Sequence, residues 1–143
     1  MVLLESALNI IVASMMMMGL SIENQQTQQE TYCGAQNIYH ESRGEPDIGQ
    51  VAVAHVVRNR VNSPNYPNSV CAVIWQTNQF SWTSDGRADD PDLDNTITRD
   101  AFIKAAWIHL VANDNKDITN GALFYYAHDK YFRCGPKTKK SWP

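Results

Sequence analysis

The chain opens on an apolar run, Leu3 to Leu20, interrupted by Glu5, Ser6, Asn9 and Ser14, and then turns polar from Ser21 to Gln29. A stretch holding Asn24, Gln25, Gln26, Gln28 and Gln29 has too little apolar surface to build a core. The pattern therefore divides the chain into an N-terminal helix over 1–20, a connector over 21–29 and a domain over 30–143. The first run resembles the apolar region of a secretory signal, yet Glu5 stands where Lys or Arg would orient one. It also lies at the lower limit of the ~17 to 25 residues that cross a bilayer. The expectation is a retained helix that docks on the domain, on a membrane or on another protein.

Within the domain, Thr27 followed by Glu30 has the form of a capping box, and Cys33, Ile38 and Tyr39 follow at near-helical spacing. This predicts a helix from about Gln28 to Arg43, closed by Gly44 in a left-handed position. Pro46 and Asp47 suit the opening of a second helix, in which Val51, Ala54, Val57 and Val61 form a buried stripe up to Ser63 and Pro64. Asn68 is placed to cap a short third helix through Trp75, and Gln76 to Asn95 has turn chemistry. Thr96 or Thr98 caps a fourth, with Phe102, Ala105, Ala106, His109 and Leu110 on one face, and Ala122 to Ala127 reads as a short strand. The predicted class is α+β, mainly α, with a small irregular or β part.

A length of 143 residues and a hydrophobic fraction of 43% fit one globular domain. The net charge of -3 lacks the broad basic surface that nucleic-acid binding requires. Charge is nevertheless uneven. Asp85, Asp89, Asp90, Asp92, Asp94 and Asp100 share one stretch, and Lys130, Arg133, Lys137, Lys139 and Lys140 crowd the C-terminus. Two solvated surfaces account for this, as does a basic tail that meets an anionic polymer. Cys33, Cys71 and Cys134 have no zinc-ligand spacing; Cys33 and Cys71 can bridge two predicted helices, or all can be buried thiols.

Two carboxylates flank the end of the first predicted helix. Glu41, in its last turn, meets the partial negative charge of the helix end, and Ile38 and Tyr39 can desolvate it, both favouring the protonated form. Cleaving a glycosidic bond needs such an acid, a Glu lifted from about 4.3 to roughly 6. Glu45 faces the opposite dipole and is expected to stay ionised. Taken alone, this is also how a surface Glu beside an Arg looks.

Ordered motifs add to it. Tyr39-His40-Glu41-Ser42-Arg43-Gly44-Glu45-Pro46, Gly49-Gln50-Val51-Ala52-Val53-Ala54, Asn59-Arg60-Val61, Tyr66-Pro67-Asn68-Ser69-Val70-Cys71 and Gln79-Phe80-Ser81-Trp82 follow one another. Together they resemble the signature of the SleB-like cell-wall hydrolase family, of spore-cortex-lytic type. Gly121-Ala122-Leu123-Phe124-Tyr125-Tyr126 is similar to that family's later glycine-alanine-aromatic segment. The resemblance implies a compact lysozyme- or lytic-transglycosylase-like domain that attacks the β-1,4 bond between N-acetylmuramic acid and N-acetylglucosamine in peptidoglycan glycan strands. It puts the catalytic acid on Glu41 and makes Glu45, Gln50, Asn59 and Arg60 supporting scaffold. It also implies work outside the cytosol, in periplasm or wall, or on a virion if a phage is the source.

Saccharide sites combine flat apolar contacts with a few fixed polar ones, so Trp82, Tyr125 and Tyr126 are candidates to stack on sugars, while Phe80 fits the core better. Gln79 and Ser81 are candidates to bind acetamido groups. No motif assigns a second carboxylate; Asp85 in Ser84-Asp85-Gly86 stays open, a solvated turn being its other reading. A single acid favours a lytic transglycosylase, with Glu41 protonating the leaving oxygen and then deprotonating the muramic 6-hydroxyl. No cofactor or metal is expected, because His40, His55, His109 and His128 lack ligand spacing. Two competing readings remain: a virion or envelope component that binds peptidoglycan, anchored through residues 3–20, and a wall amidase.

Overall fold

The structure, a computed structural model, describes residues 25–77, 79–128 and 131–134, with residues 25, 126–128 and 131–134 described by backbone alone. The apolar run over 3–20 and most of the basic C-terminus lie outside the described residues. Helix α1, Gln25–Ser42, already contains residues 25–29 of the expected connector. Glutamine is a good helix former, and its polarity excludes it from a core without excluding it from a helix. Thr27 is thus inside the helix and forms no capping box; its carbonyl accepts from Thr31 Oγ1 at 2.7 Å. Gly44 is not left-handed either, since positive φ among the described residues falls on Gly86, Asn120 and Gly121. The chain instead turns through the Glu45 N–H donating to the Ser42 carbonyl at 2.9 Å, a route open to any residue.

Helix α2, Asp47–Val61, starts after Pro46, whose φ of -57° fits the ring's constraint. The expected stripe was too narrow: Ala52, Val53, Ala54, His55, Val56 and Val57 are all buried, because α2 is central and small or apolar on nearly every side. Helix α3, Val70–Ile74, is capped by Ser69, whose side chain accepts from the Ala72 N–H, and not by Asn68. A 3₁₀ turn, Ser81–Ser84, breaks the following loop. Helix α4, Thr96–Asp114, is capped by Asn95 in place of Thr96 or Thr98; Asn95 accepts from the N–H groups of Ile97 and Thr98. Asn, Ser and Thr cap almost equally well, so composition alone places a cap only to within a residue or two. Strands β1, Tyr125–His128, and β2, Tyr131–Cys134, pair antiparallel with Tyr125 opposite Cys134. The described chain is mainly helical, and none of its helices is long and apolar enough to cross a membrane.

Helix α1 serves two cores. Tyr32, Ala35 and Ile38 meet Val53 and Ala54 of α2 and Phe102, Ala105 and Ala106 of α4, while Cys33 joins Val57, Val73, Ile74, Phe80 and Trp82. Gly34 lets α1 cross α4 closely: a Cβ there would lie 2.2 Å from His109 Nδ1. Cys33 and Cys71 form a disulfide with Cα atoms 5.3 Å apart, joining α1 to α3. Closing a loop of sequence separation 38 contributes about 4 kcal/mol by chain entropy. Arg58 bonds the carbonyls of Ala112, Asn113 and Asn115, a cation at the negative end of α4. The disulfide and the close crossing at Gly34 thus tie the middle of α1 to α3 and α4, and Arg58 ties the last turns of α2 to the end of α4.

Candidate active site

Glu41 sits in the last turn of α1, partly buried, where two cavities meet. The first, about 490 Å³, is bordered by Glu41, Arg60, Gln79, Ser81, Phe124 and Tyr125. The second, about 380 Å³, is bordered by Glu41, His40, Arg43, Ser81, Asp85 and Arg87. Glu41 and Ser81 belong to both, so the pair forms a groove with the acid at its middle.

Helical spacing arranges the α1 side of this groove. Tyr32, Gln36 and His40 recur every four residues on one face and grip the loop beyond the 3₁₀ turn. The Tyr32 hydroxyl donates to the Asp90 carboxylate, and Gln36 Nε2 and His40 Nε2 reach the Asp89 carbonyl at 3.4 and 2.9 Å. Asn37 and Glu41, also one turn apart, share the adjacent face. Asn37 is fully buried, and its Oδ1 accepts from Trp82 Nε1 at 2.9 Å.

Burial raises the proton affinity of Glu41 above that of an ordinary carboxyl group. The neighbouring Tyr125 hydroxyl and the charges of His40 and Arg60 pull it partly back. Arg60 is 3% exposed; its Nε donates to the Leu123 carbonyl at 2.8 Å, and its Cζ lies 5.0 to 5.2 Å from the rings of Phe80, Tyr66 and Phe124. Ring faces carry negative charge density, so this cage holds a cation beside the acid without a directly bonded carboxylate. Burial in turn lowers the proton affinity of Arg60. The site can therefore keep a carboxylic acid protonated while stabilising the carboxylate left after proton transfer.

Gln79 and Ser81 border the groove. Tyr125 borders the groove, where burial first and the neighbouring Glu41 charge second push its hydroxyl's pKa well up. Trp82 is no open stacking platform: it is 5% exposed, stacked on His40 at 4.5 Å, with Trp75 against it edge-on. Its N–H needed a buried acceptor, and satisfying it against Asn37 turned the ring inward. Phe80 is core, as read. The Tyr126 side chain lies outside the described residues. Gln50 holds the turn by donating to the Glu45 carbonyl at 3.1 Å. Asn59 points away from the groove, to Asp117, Thr119 and Ala122, whereas Arg60 borders it. Asn37 escaped the sequence reading, although its place four residues before Glu41 marked it.

The chain belongs to the cell wall hydrolase family, whose family model matches residues 44–142 and which the ordered motifs resemble. It is similar to the spore cortex-lytic enzyme of Bacillus cereus, 34% identical over 126 residues, covering 85% of this chain and 45% of that protein. The spore cortex-lytic enzymes of Bacillus subtilis and Halalkalibacterium halodurans are 39% and 38% identical over 95 residues, 66% of this chain and 28% and 26% of theirs. The chain thus spans less than half the length of these relatives. No solved structure matches it. The family match begins just past Glu41, but the Bacillus cereus alignment covers a share of the chain large enough to include it.

Proposed function

We propose that the domain, read as residues 30–143 with α1 reaching back to Gln25, degrades peptidoglycan by cleaving the N-acetylmuramic acid–β-1,4–N-acetylglucosamine bond. A lysozyme- or lytic-transglycosylase-like arrangement of the groove is part of this reading. The observation that carries it is the position of Glu41, a carboxyl of raised proton affinity where two cavities meet. A glycan laid along the groove brings a glycosidic oxygen to that acid. Its likeness to spore cortex-lytic enzymes points to the same class of polymer.

Glu41 donates its proton to the leaving N-acetylglucosamine oxygen as the C1–O bond breaks. As carboxylate, it then takes the proton of the muramic 6-hydroxyl, whose oxygen closes on C1 to give a 1,6-anhydro ring. Water is not consumed, and the acid is regenerated. Gln79 and Ser81 bind acetamido groups, and Phe124 and Tyr125 flank the sugar. The Cys33–Cys71 disulfide suits work outside the reducing cytosol, in periplasm or wall. Residues 3–20 are assigned to contact with a membrane or virion protein.

A hydrolase that uses Asp85 as second carboxylate is the other reading, favoured because Asp85 borders the same cavity as Glu41. Digestion of purified peptidoglycan with mass spectrometry of the products decides between them. Anhydro-muropeptides support the transglycosylase, reducing muramic ends support the hydrolase, and stem peptides alone would overturn both.

A further inference from the structure

A third cavity, about 470 Å³, lies further back along α1, bordered by Gln29, which precedes Glu41 by about 18 Å along the helix axis. Its apolar border is the Cys33–Cys71 disulfide and the ring of Trp75, which is 42% exposed. A single exposed apolar side chain is ordinary, and Ile48, Ile97 and Ile118 are others among the described residues. Trp75 differs in being aromatic, at the edge of a cavity and held in place. Its ring packs edge-on against Trp82 at 5.1 Å, and Trp82 is itself fixed between His40 and Asn37. Polar groups beside it are fixed as well. Gln36 Nε2 lies 3.4 Å from the Asp90 carboxylate, to which the Tyr32 hydroxyl also donates. A rigid aromatic face flanked by a few oriented polar groups has the make-up of a recognition site.

We infer that the third cavity is a second saccharide-binding site, which holds N-acetylhexosamine units of the glycan strand away from the bond that Glu41 cleaves. The exposed face of Trp75 stacks on the C–H face of a sugar ring. The Gln29 amide, which is exposed and both donates and accepts, suits an acetamido group, and the exposed Asp90 carboxylate accepts from sugar hydroxyls. Among the described residues that border this cavity, Asp90 carries the sole charge, so a neutral sugar fits it and a phosphate-bearing polymer or an anionic lipid does not. Asp90 also borders the second cavity, which Glu41 shares, so a polymer laid across the acid continues past Asp90 to Trp75. This rests on the reading of the substrate as a peptidoglycan glycan. A strand held at both places binds more tightly than a short one, with the chemical step unchanged.

Kinetics on long strands and on fragments with one disaccharide either side of the cleaved bond, which end before the third cavity, test this. Trp75→Leu keeps apolar bulk against Trp82 and removes the flat face. It is expected to raise KM for long strands about tenfold with kcat unchanged, and to leave both constants for the fragments within about twofold of the parent's. Trp75→Phe restores a ring and is expected to bring KM back to within about threefold. Equal losses on long and short substrates overturn the inference, since they report a disturbed Trp82, and so does a Phe variant as impaired as the Leu one. Binding needs neither turnover nor a change at Trp75. In the Glu41→Gln chain, chitotetraose is expected to shift the Trp75 indole N–H resonance saturably; no shift overturns the inference, as does a shift produced by phosphatidylglycerol vesicles and not by the sugar. If the parent cleaves no glycan while chitotetraose moves Trp75, the functional reading fails and the site stands. If it cleaves and Trp75→Leu leaves KM for long strands unchanged, the site fails and the functional reading stands.

Discussion

Two carboxylates in this domain have been driven in opposite directions. Glu41 is partly buried, with the Tyr125 hydroxyl, His40 and Arg60 nearby, and burial wins: its proton affinity rises. Asp117 accepts from the Thr119 N–H and hydroxyl at 2.8 and 2.6 Å, the Gly121 N–H at 2.7 Å and Asn59 Nδ2 at 2.9 Å. There the donors outweigh burial and hold its pKa down, from 3.8 to about 2. His55 beside it is neutral, with Nε2 donating to the Ala112 carbonyl and Nδ1 accepting from the Ile118 N–H, so it adds no ion pair. The number of donors given to a carboxyl thus decides whether its proton is held or released.

The widest split between the two is expected from Glu41→Gln. It should lower cleavage at least about a thousandfold, measured by release of soluble muropeptides, while folding is intact. Because the protonated form of Glu41 is the one the fold favours, its contribution is present at low pH and lost as pH rises through its raised pKa. The neutral amide should therefore give a Tm at neutral pH no lower than the parent's. Next in size, removing the disulfide with Cys33→Ser and Cys71→Ser is expected to cost about 4 kcal/mol in denaturant unfolding. That loss falls on α1, the Glu41 side of the comparison.

Asp117→Ala should cost about 3 kcal/mol, because it strands the donors of Asn59, Thr119 and Gly121, while activity per folded molecule is retained. The sign for the parent is fixed by the lowered pKa: stability from Asp117 is present above about pH 4 and lost as pH falls toward about 2, which acid unfolding of the alanine variant should no longer show. The smallest effect is expected from Arg60→Met, about tenfold in kcat. Its alkaline limb should move to higher pH, as Glu41 loses a cation that favours its ionised form; a shift to lower pH would reverse the role assigned to Arg60.

Much of the scaffold was legible because local rules carry it. Apolar period located α1, α2 and α4, and Pro46 marked the opening of α2. The width of the α2 stripe was not legible, since a helix flanked by α1, α3 and α4 is buried by partners whose arrangement no local pattern encodes. At the site, Glu41 stood out through the ordered motifs and not through its helix-end position. The direction of Trp82 was hidden for a different reason. Its partner Asn37 lies 45 residues away, and an aromatic in a sequence does not say which way its N–H points.

Gly34 stands two turns before Glu41 on the same helix, at the point where α1 presses on the buried imidazole of His109. It behaves as a fulcrum. Any side chain there would pry α1 off α4, and the displacement would be felt at the far end of the lever, in the groove. A single methyl group at Gly34 would thus be expected to disturb the groove while leaving every residue that borders it in place.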